Sequence, residues 1–213
     1  HDTIVLKSNT LNNLSDSSLF FKCENFQKSG SFKIRGASNT ILQIKKEKLK
    51  RGIVTASSGN HGAAIALIST KLGLKSTIVM PENTSKVKVD NVIRNGGKII
   101  WCSPNQSSRD KVLNDLILKT KKILIHPYND EQVISGQATV ALEFLETNKD
   151  LDILIAPVSG GGLLSGTIST AKQLNHNIKI YGAEPLNADD AFRSLISGKI
   201  ESNIVANTIC DGL

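Results

Sequence analysis

The sequence predicts an α/β fold of parallel sheet with crossover helices, and two observations predict it. Short β-rich runs alternate with stretches whose apolar residues recur at helical spacing, and small residues cluster where several of those runs end. In order, the β-rich runs are residues 19–23, 53–56, 76–80, 98–102, 123–126, 153–158 and 178–182. Between them lie helical patterns such as Ile65, Leu67, Ile68 and Leu72, or Val133, Val140, Leu142 and Leu145. No internal repeat, low-complexity tract or long linker interrupts the alternation.

At 213 residues the chain has the length of one generous domain or two small ones. Its net charge is +7. The cations are spread over most of the expected helices rather than gathered beside aromatic residues, which argues against nucleic-acid binding. The densest basic run, Lys45, Lys46, Lys48, Lys50 and Arg51, ends a helical pattern, where positive charge suits the dipole of a solvated helix end. Three cysteines, Cys23, Cys102 and Cys210, stand far apart without metal-ligand spacing, so a reducing, cytoplasmic setting is expected. No stretch approaches the roughly 20 apolar residues of a membrane helix, and His1, Asp2 and Thr3 do not resemble a secretory signal. A start at His1 and a stop at Leu213, just after a turn-like Asp211 and Gly212, make both ends look truncated.

Ligands of open parallel sheets collect where strands end and helices begin, and three such junctions stand out. The first runs from Ser29 to Gly36. Ser31 is a candidate cap for the helix that follows, and Lys33 falls in its first turn, where a cation is electrostatically misplaced. With Phe32 and Ile34 beside it, that setting depresses an amine's pKa, as a Schiff-base lysine requires. Lysines are abundant in this chain, so a solvated lysine is the competing reading.

The second junction is Ser57-Ser58-Gly59-Asn60-His61-Gly62. Its small residues let backbone amides at a helix start approach an anion, and a substrate carboxylate fits there. Asn60 is placed to bond a cofactor oxygen and Ser58 to bring a hydroxyl near a reacting carbon. A plain turn and cap is the bland alternative. For His61, a histidine bonded to nearby backbone is the simpler reading, since no second metal-type ligand stands at helical spacing.

The third junction, Ser159-Gly160-Gly161-Gly162 leading into Leu163, is the strongest physical signal. Consecutive glycines let several N–H groups converge on one phosphate at a helix start. No Gly-Lys-Ser/Thr follows and the spacing is wrong for a dinucleotide fingerprint, so a single phosphate monoester is the natural ligand.

Taken in order, the Ser31–Ala37 motif (SFKIRGA), the Ser57–Gly62 motif (SSGNHG) and the Ser159–Leu163 motif (SGGGL) resemble the serine racemase and serine/threonine dehydratase family of fold type II pyridoxal phosphate (PLP) enzymes. The likeness runs along essentially the whole chain, through His126-Pro127 and Gly136-Gln137 with Thr139. Cysteine and threonine synthases share the fold but usually carry aspartate at Ile34 and threonine at His61. The resemblance implies two parallel-sheet α/β lobes, residues 51–129 forming the smaller and 1–50 with 130–213 an incomplete larger one, with the cofactor in the cleft between them. It implies that Lys33 holds PLP as an imine and Phe32 packs against the ring. Asn60 then bonds the phenolic oxygen, and Ser159, Gly160, Gly161, Gly162 and Leu163 bind the phosphate. Ser57, Ser58, Asn60 and His61 would meet the substrate, and Arg109 is a candidate to join them or to close the cleft. An exposed helix arginine is the plain alternative for Arg109.

The segment from Glu184 through Ala188 to Asp190 resembles the divalent-cation site of these relatives, with two carboxylates and the Ala188 carbonyl as hard ligands for Mg2+, Ca2+ or Mn2+. Acidic residues opening a helix after a strand are the alternative. The expected substrate is a small hydroxy amino acid and the expected assembly a homodimer. Lys33 on one face of the α-carbon and Ser58 on the other suit racemisation; many dedicated threonine dehydratases have alanine at Ser58, although hydroxyaspartate dehydratases also carry serine there. The resemblance also implies that a Ser or Cys for the pyridine nitrogen lies beyond Leu213 and that part of the leading strand and helix precedes His1. Ile4 stands where relatives usually have proline. A noncatalytic fragment or pseudoenzyme is the reading from another class, and intact Lys33, Asn60 and glycine turn argue against it.

Overall fold

β-Branched residues dominate the runs that build the main sheet, as half-buried pleated surfaces favour. The computed structural model describes residues 1–203, 207–210 and 212; Asp211 of the expected turn and the chain end Leu213 lie outside the described residues. Four strands, β3 (Ile53–Ala56), β4 (Ser76–Pro81), β5 (Lys98–Cys102) and β6 (Ile123–Leu124), form a parallel sheet in the order β5-β4-β3-β6. Ile53 aligns with both Ser76 and Ile123. The crossovers are helical: α4 (Asn60–Lys71) links β3 to β4, α5 (Lys86–Arg94) links β4 to β5, and α6 (Gln106–Thr120) links β5 to β6.

A second parallel pair, β7 (Ile153–Pro157) and β8 (Lys179–Ala183), is joined through α8 (Gly162–Leu174) and preceded by α7 (Glu131–Thr147). Along β7, Leu154 and Ala156 are buried while Ile153 and Ile155 are exposed, as is Tyr181 on β8. Parallel sheet is ordinarily covered on both faces, and here one face carries bare apolar side chains.

Two features depart from the sequence reading. The run at 19–23 becomes β2 (Phe20–Lys22), and it pairs antiparallel with β1 (Val5–Lys7), a strand that was not anticipated. The basic run does not extend the preceding helix: α2 (Lys33–Gln43) stops first, and Lys46–Leu49 forms a short α3 whose lysines are exposed. Apart from α1 (Asn9–Ser15) and α9 (Asp190–Ser197), which bury no side chain, the helices of at least eight residues that lack a buried face reduce to α6, which is only partly covered.

The largest core cluster crosses the expected lobe boundary. Ile34, Ala37 and Ile41 of α2 pack with Ile53, Ile65, Ile78 and Val92 of the four-stranded region and with Val133 of α7. Each such side chain taken from water contributes about 1.5–3 kcal/mol. Helix α2 is thereby packed against both α4 and α7.

Candidate active site

Lys33 is the first residue of α2, as expected, but Ser31 does not cap the helix. The N-cap residue is Phe32 in right-handed helical conformation, Arg35 N donates to Phe32 O at 3.0 Å, and Ser31 Oγ is buried without a partner. This tight first turn carries the helix start past Ser31, whose hydroxyl no longer meets the open N–H groups. Lys33 Nζ donates to the Pro127 carbonyl at 2.8 Å and stands 5.2 Å from the Phe32 ring centre. Burial lowers its pKa to about 8, because the charged ammonium loses hydration there.

The second junction folds as a tight turn into α4. Ser57 Oγ accepts from Gly59 N at 3.2 Å, and the N-cap residue Gly59 offers no side-chain cap. Ser58 and Asn60 are exposed. His61 is 2% exposed, and its Nε2 lies 3.3 Å from the Ile125 carbonyl, the backbone-bonded histidine expected. Burial, reinforced by the nearby Lys33 charge, lowers its pKa to about 3, so the ring is neutral at physiological pH. With Nε2–H donating, Nδ1 is an acceptor without a partner among the described residues.

At the third junction Gly161 takes φ +81° with open space where a side chain would stand. Gly160 and Gly162 have a different cause: a Cβ on either would press on Tyr128. Sequence reasoning missed Tyr128, which stands 4.7 Å edge-on from His126 and covers the glycine turn. No local pattern pointed to it, since the contact spans some thirty residues. His126 Nδ1 accepts from Asn129 N at 2.8 Å, and burial lowers the pKa of that ring as well.

These junctions meet in one cleft of about 360 Å³. Phe32, Lys33, Ser57, Ser58, Asn60 and His61 line it on one side, and Ser159, Gly160, Gly161, Gly162 and Leu163 on the other. Lys33 Nζ holds Pro127, whose neighbour Tyr128 lies on the glycine turn, so amine and turn are a few residues' contact apart. Arg109, half-buried in the first turns of α6, also reaches the cleft, and its guanidinium donates to Gln106 Oε1.

Side-chain caps are unevenly distributed over the helix starts. Ser8, Asn105 and Asp130 cap α1, α6 and α7 with their own side chains. Three helices that begin in the cleft, α2, α4 and α8, have no side-chain cap. Open N–H groups at the starts of α4 and α8 are anion sites, one beside Ser57 and Asn60 and one at the glycine turn. Two open helix starts and one amine with a depressed pKa thus share the cleft, an arrangement that fits a phosphate-bearing aldehyde together with a carboxylate substrate.

The acidic segment is arranged as a helix start. Glu184 accepts from Ala191 N at 3.1 Å and Phe192 N at 2.9 Å, capping α9, while Asp190 Oδ1 accepts from Asn203 Nδ2 at 2.7 Å. Ala188 is buried. Among the described residues no three His, Cys, Asp or Glu side chains gather as cation ligands.

Open helix starts around a low-pKa lysine form a cleft suited to an enzyme of phosphorylated carbonyl compounds. The chain belongs to the pyridoxal-phosphate dependent enzyme family, whose family model matches residues 1–213. It is 50% identical over its full 213 residues to a serine racemase of Arabidopsis thaliana, covering 64% of that protein. It is 40% identical over 211 residues to a beta-hydroxyaspartate dehydratase of Paracoccus denitrificans, covering 99% of this chain and 67% of the relative. The solved structure of maize serine racemase superposes with a TM-score of 0.98 at 47% identity, over 100% of this chain and 65% of that one. The chain therefore spans somewhat less than two thirds of the racemase relatives' length, and its fold is the fold type II architecture.

Proposed function

We propose that the protein is a PLP-dependent serine racemase that also eliminates water from small hydroxy amino acids. The observation that carries this reading is the shared cleft of Lys33, Ser58 and two uncapped helix starts. PLP held there supplies an electron sink that makes the α-proton of a bound amino acid removable. The α8 start and Gly161 would hold the phosphate, Phe32 and Asn60 the ring, and the α4 start with Ser57 the substrate carboxylate. His61 is neutral and adds no charge to compete for that carboxylate. Lys33 Nζ, neutral in part near pH 8, takes up or returns the α-proton on one side, and Ser58 Oγ holds the proton on the other. Inversion needs both groups; loss of the β-hydroxyl needs only one proton to leave the α-carbon.

Replacing Ser58 with alanine is accordingly expected to lower racemisation of L-serine by about 100-fold or more while sparing elimination, read by product chirality and pyruvate release. Equal loss of both activities removes the two-base assignment. A second reading, dehydration of a hydroxy amino acid with a second carboxylate such as 3-hydroxyaspartate, is favoured by the half-buried guanidinium of Arg109 in the cleft.

The division into lobes 51–129 and 1–50 with 130–213 is supported by the separate sheets of residues 53–124 and 153–183. A divalent cation at Glu184, the Ala188 carbonyl and Asp190 is part of the proposal; both carboxylates keep lone pairs beyond their present bonds. Saturating Mg2+, Ca2+ or Mn2+ is then expected to raise the melting temperature by several degrees, reversibly with chelator. An unchanged melting curve removes the cation. Homodimeric assembly and a cytoplasmic setting complete the proposal, and the three unpaired cysteines support a reducing compartment.

A further inference from the structure

The first turn of α2 carries a second misplaced cation, Arg35, and its partners are unusual. The guanidinium side chain is 7% exposed and makes two forks: to Glu24 through Nε at 2.8 Å and Nη2 at 2.8 Å, and to Glu143 through Nη1 at 2.5 Å and Nη2 at 2.8 Å. Thr139 Oγ1 accepts a further bond at 3.0 Å. The network continues outward: Lys22 Nζ lies 2.8 Å from Glu143 and donates to Thr3 O at 2.9 Å, and Thr3 Oγ1 donates to Glu24 at 2.6 Å. Burial opposes the charge on Arg35, but the bonds to Glu143 and Glu24 outweigh it and raise its pKa; bonds from Arg35 and Lys22 hold Glu143 down at about 2 against its own burial. Arg35 and Glu143 are thus both charged.

We propose that Arg35 is a positioning residue for Lys33, clamping the uncapped first turn of α2 between Glu24 and Glu143 so that the lysine amine is held inside the cleft. The proposal rests on Lys33 being the cofactor lysine of the preceding reading. A helix start without a cap frays unless tertiary contacts hold it. On the α7 side, Gln137 Oε1 accepts from Gly36 N at 3.1 Å, which fixes the turn only after Lys33 has passed. On the N-terminal side, residues 1–28 bury only Thr3 and Gln27, so little apolar packing presses that layer against α2. The Arg35 forks are the charged link between the layer, the Lys33 turn and α7. Geometry also separates the two cations of the turn: Lys33 extends to Pro127 in the cleft while Arg35 turns to Glu24 and Glu143.

The test uses Arg35→Lys, which keeps charge but loses the forks, and Glu24→Gln, which leaves the Glu143 fork intact. Arg35→Ala is avoided because two half-buried carboxylates stripped of their partner endanger folding. Competitive labelling of lysines with acetic anhydride across pH 6–11, read by peptide mass spectrometry on protein freed of PLP, reports the Lys33 amine directly. The parent protein is expected to label at Lys33 with a midpoint near pH 8, set by burial; His61 and His126 are the titratable neighbours that feel its charge. In both variants a loosened turn lets water reach the amine, so the midpoint moves up by about a unit and Lys33 labelling at pH 8 falls roughly fivefold. Leu154→Ala, far from the turn, serves as a control that loses stability without moving the midpoint. An unchanged Lys33 profile in Arg35→Lys and Glu24→Gln overturns the proposal. Borohydride trapping of PLP on the parent protein is scored separately: trapping elsewhere than Lys33 overturns the cofactor reading, whereas trapping on Lys33 with unmoved variant profiles overturns only the role of Arg35.

Discussion

Lys33→Ala protein is expected to develop no visible absorbance with PLP, to retain no cofactor after borohydride, and to lose turnover by more than about a thousandfold. The size of the effect follows from the double duty of one nitrogen, which anchors the cofactor and moves the α-proton, so that removing it removes both functions together. Folding is not expected to suffer. Lys33 makes one hydrogen bond, to the Pro127 carbonyl, and a lysine held partly out of water with a lowered pKa contributes little stability of its own. The parent protein adds a pH signature. Only the neutral amine attacks a carbonyl, and the folded-state pKa of about 8 lies below the ordinary 10.5, so cofactor uptake should accelerate as pH rises toward 8 and level off above it. Without that depression, uptake would keep climbing toward pH 10. Full absorbance and turnover in Lys33→Ala would remove Lys33 from the chemistry altogether.

Electrostatic misplacement in a helix's first turn marks Lys33 in the sequence, and it marks Arg35 equally. Both residues stand at the positive end of α2, and both turned out to have partners that explain them. The difference is distance along the chain: Glu143 is 108 residues from Arg35, and nothing local in the sequence links them. The junctions at Ser57 and Ser159 were legible because small residues after a β-rich run leave helix N–H groups open, a local property of backbone and composition. Tyr128 was not, since its claim on Gly160 and Gly162 arises only once β7 and the segment after β6 lie side by side. The same limit explains β1: Val5, Leu6 and Lys7 carry too short a pattern to read as strand until Phe20, Phe21 and Lys22 pair with them. The acidic segment shows the converse. Its alternative reading, carboxylates opening a helix, required only local geometry, and that geometry is present in the bonds from Glu184 to the first turn of α9.

Gly136→Ala tests the packing that holds the cleft together, and here two principles predict opposite signs. Gly136 lies within α7, and in an isolated helix alanine is more favourable than glycine by about 1 kcal/mol. Packing opposes this: a Cβ at Gly136 would stand 2.5 Å from Gly36 Cα and 2.6 Å from the Arg35 carbonyl oxygen. Both are backbone atoms of α2, so no rotamer change relieves the overlap, and the two helices must separate. Separation strains the Gln137 bond to Gly36 and the Arg35 forks on Glu143 at the same time. The expected result is a loss of about 3 kcal/mol or more in urea unfolding, with weakened PLP uptake in whatever folded protein remains. Gly73→Ala provides the contrast. It has φ +68° but nothing within 4 Å of the added carbon, so its cost should stay near the roughly 1–2 kcal/mol of left-handed strain. A raised urea midpoint for Gly136→Ala would mean that helix propensity outweighs the contact, and that α2 and α7 do not cross at backbone distance.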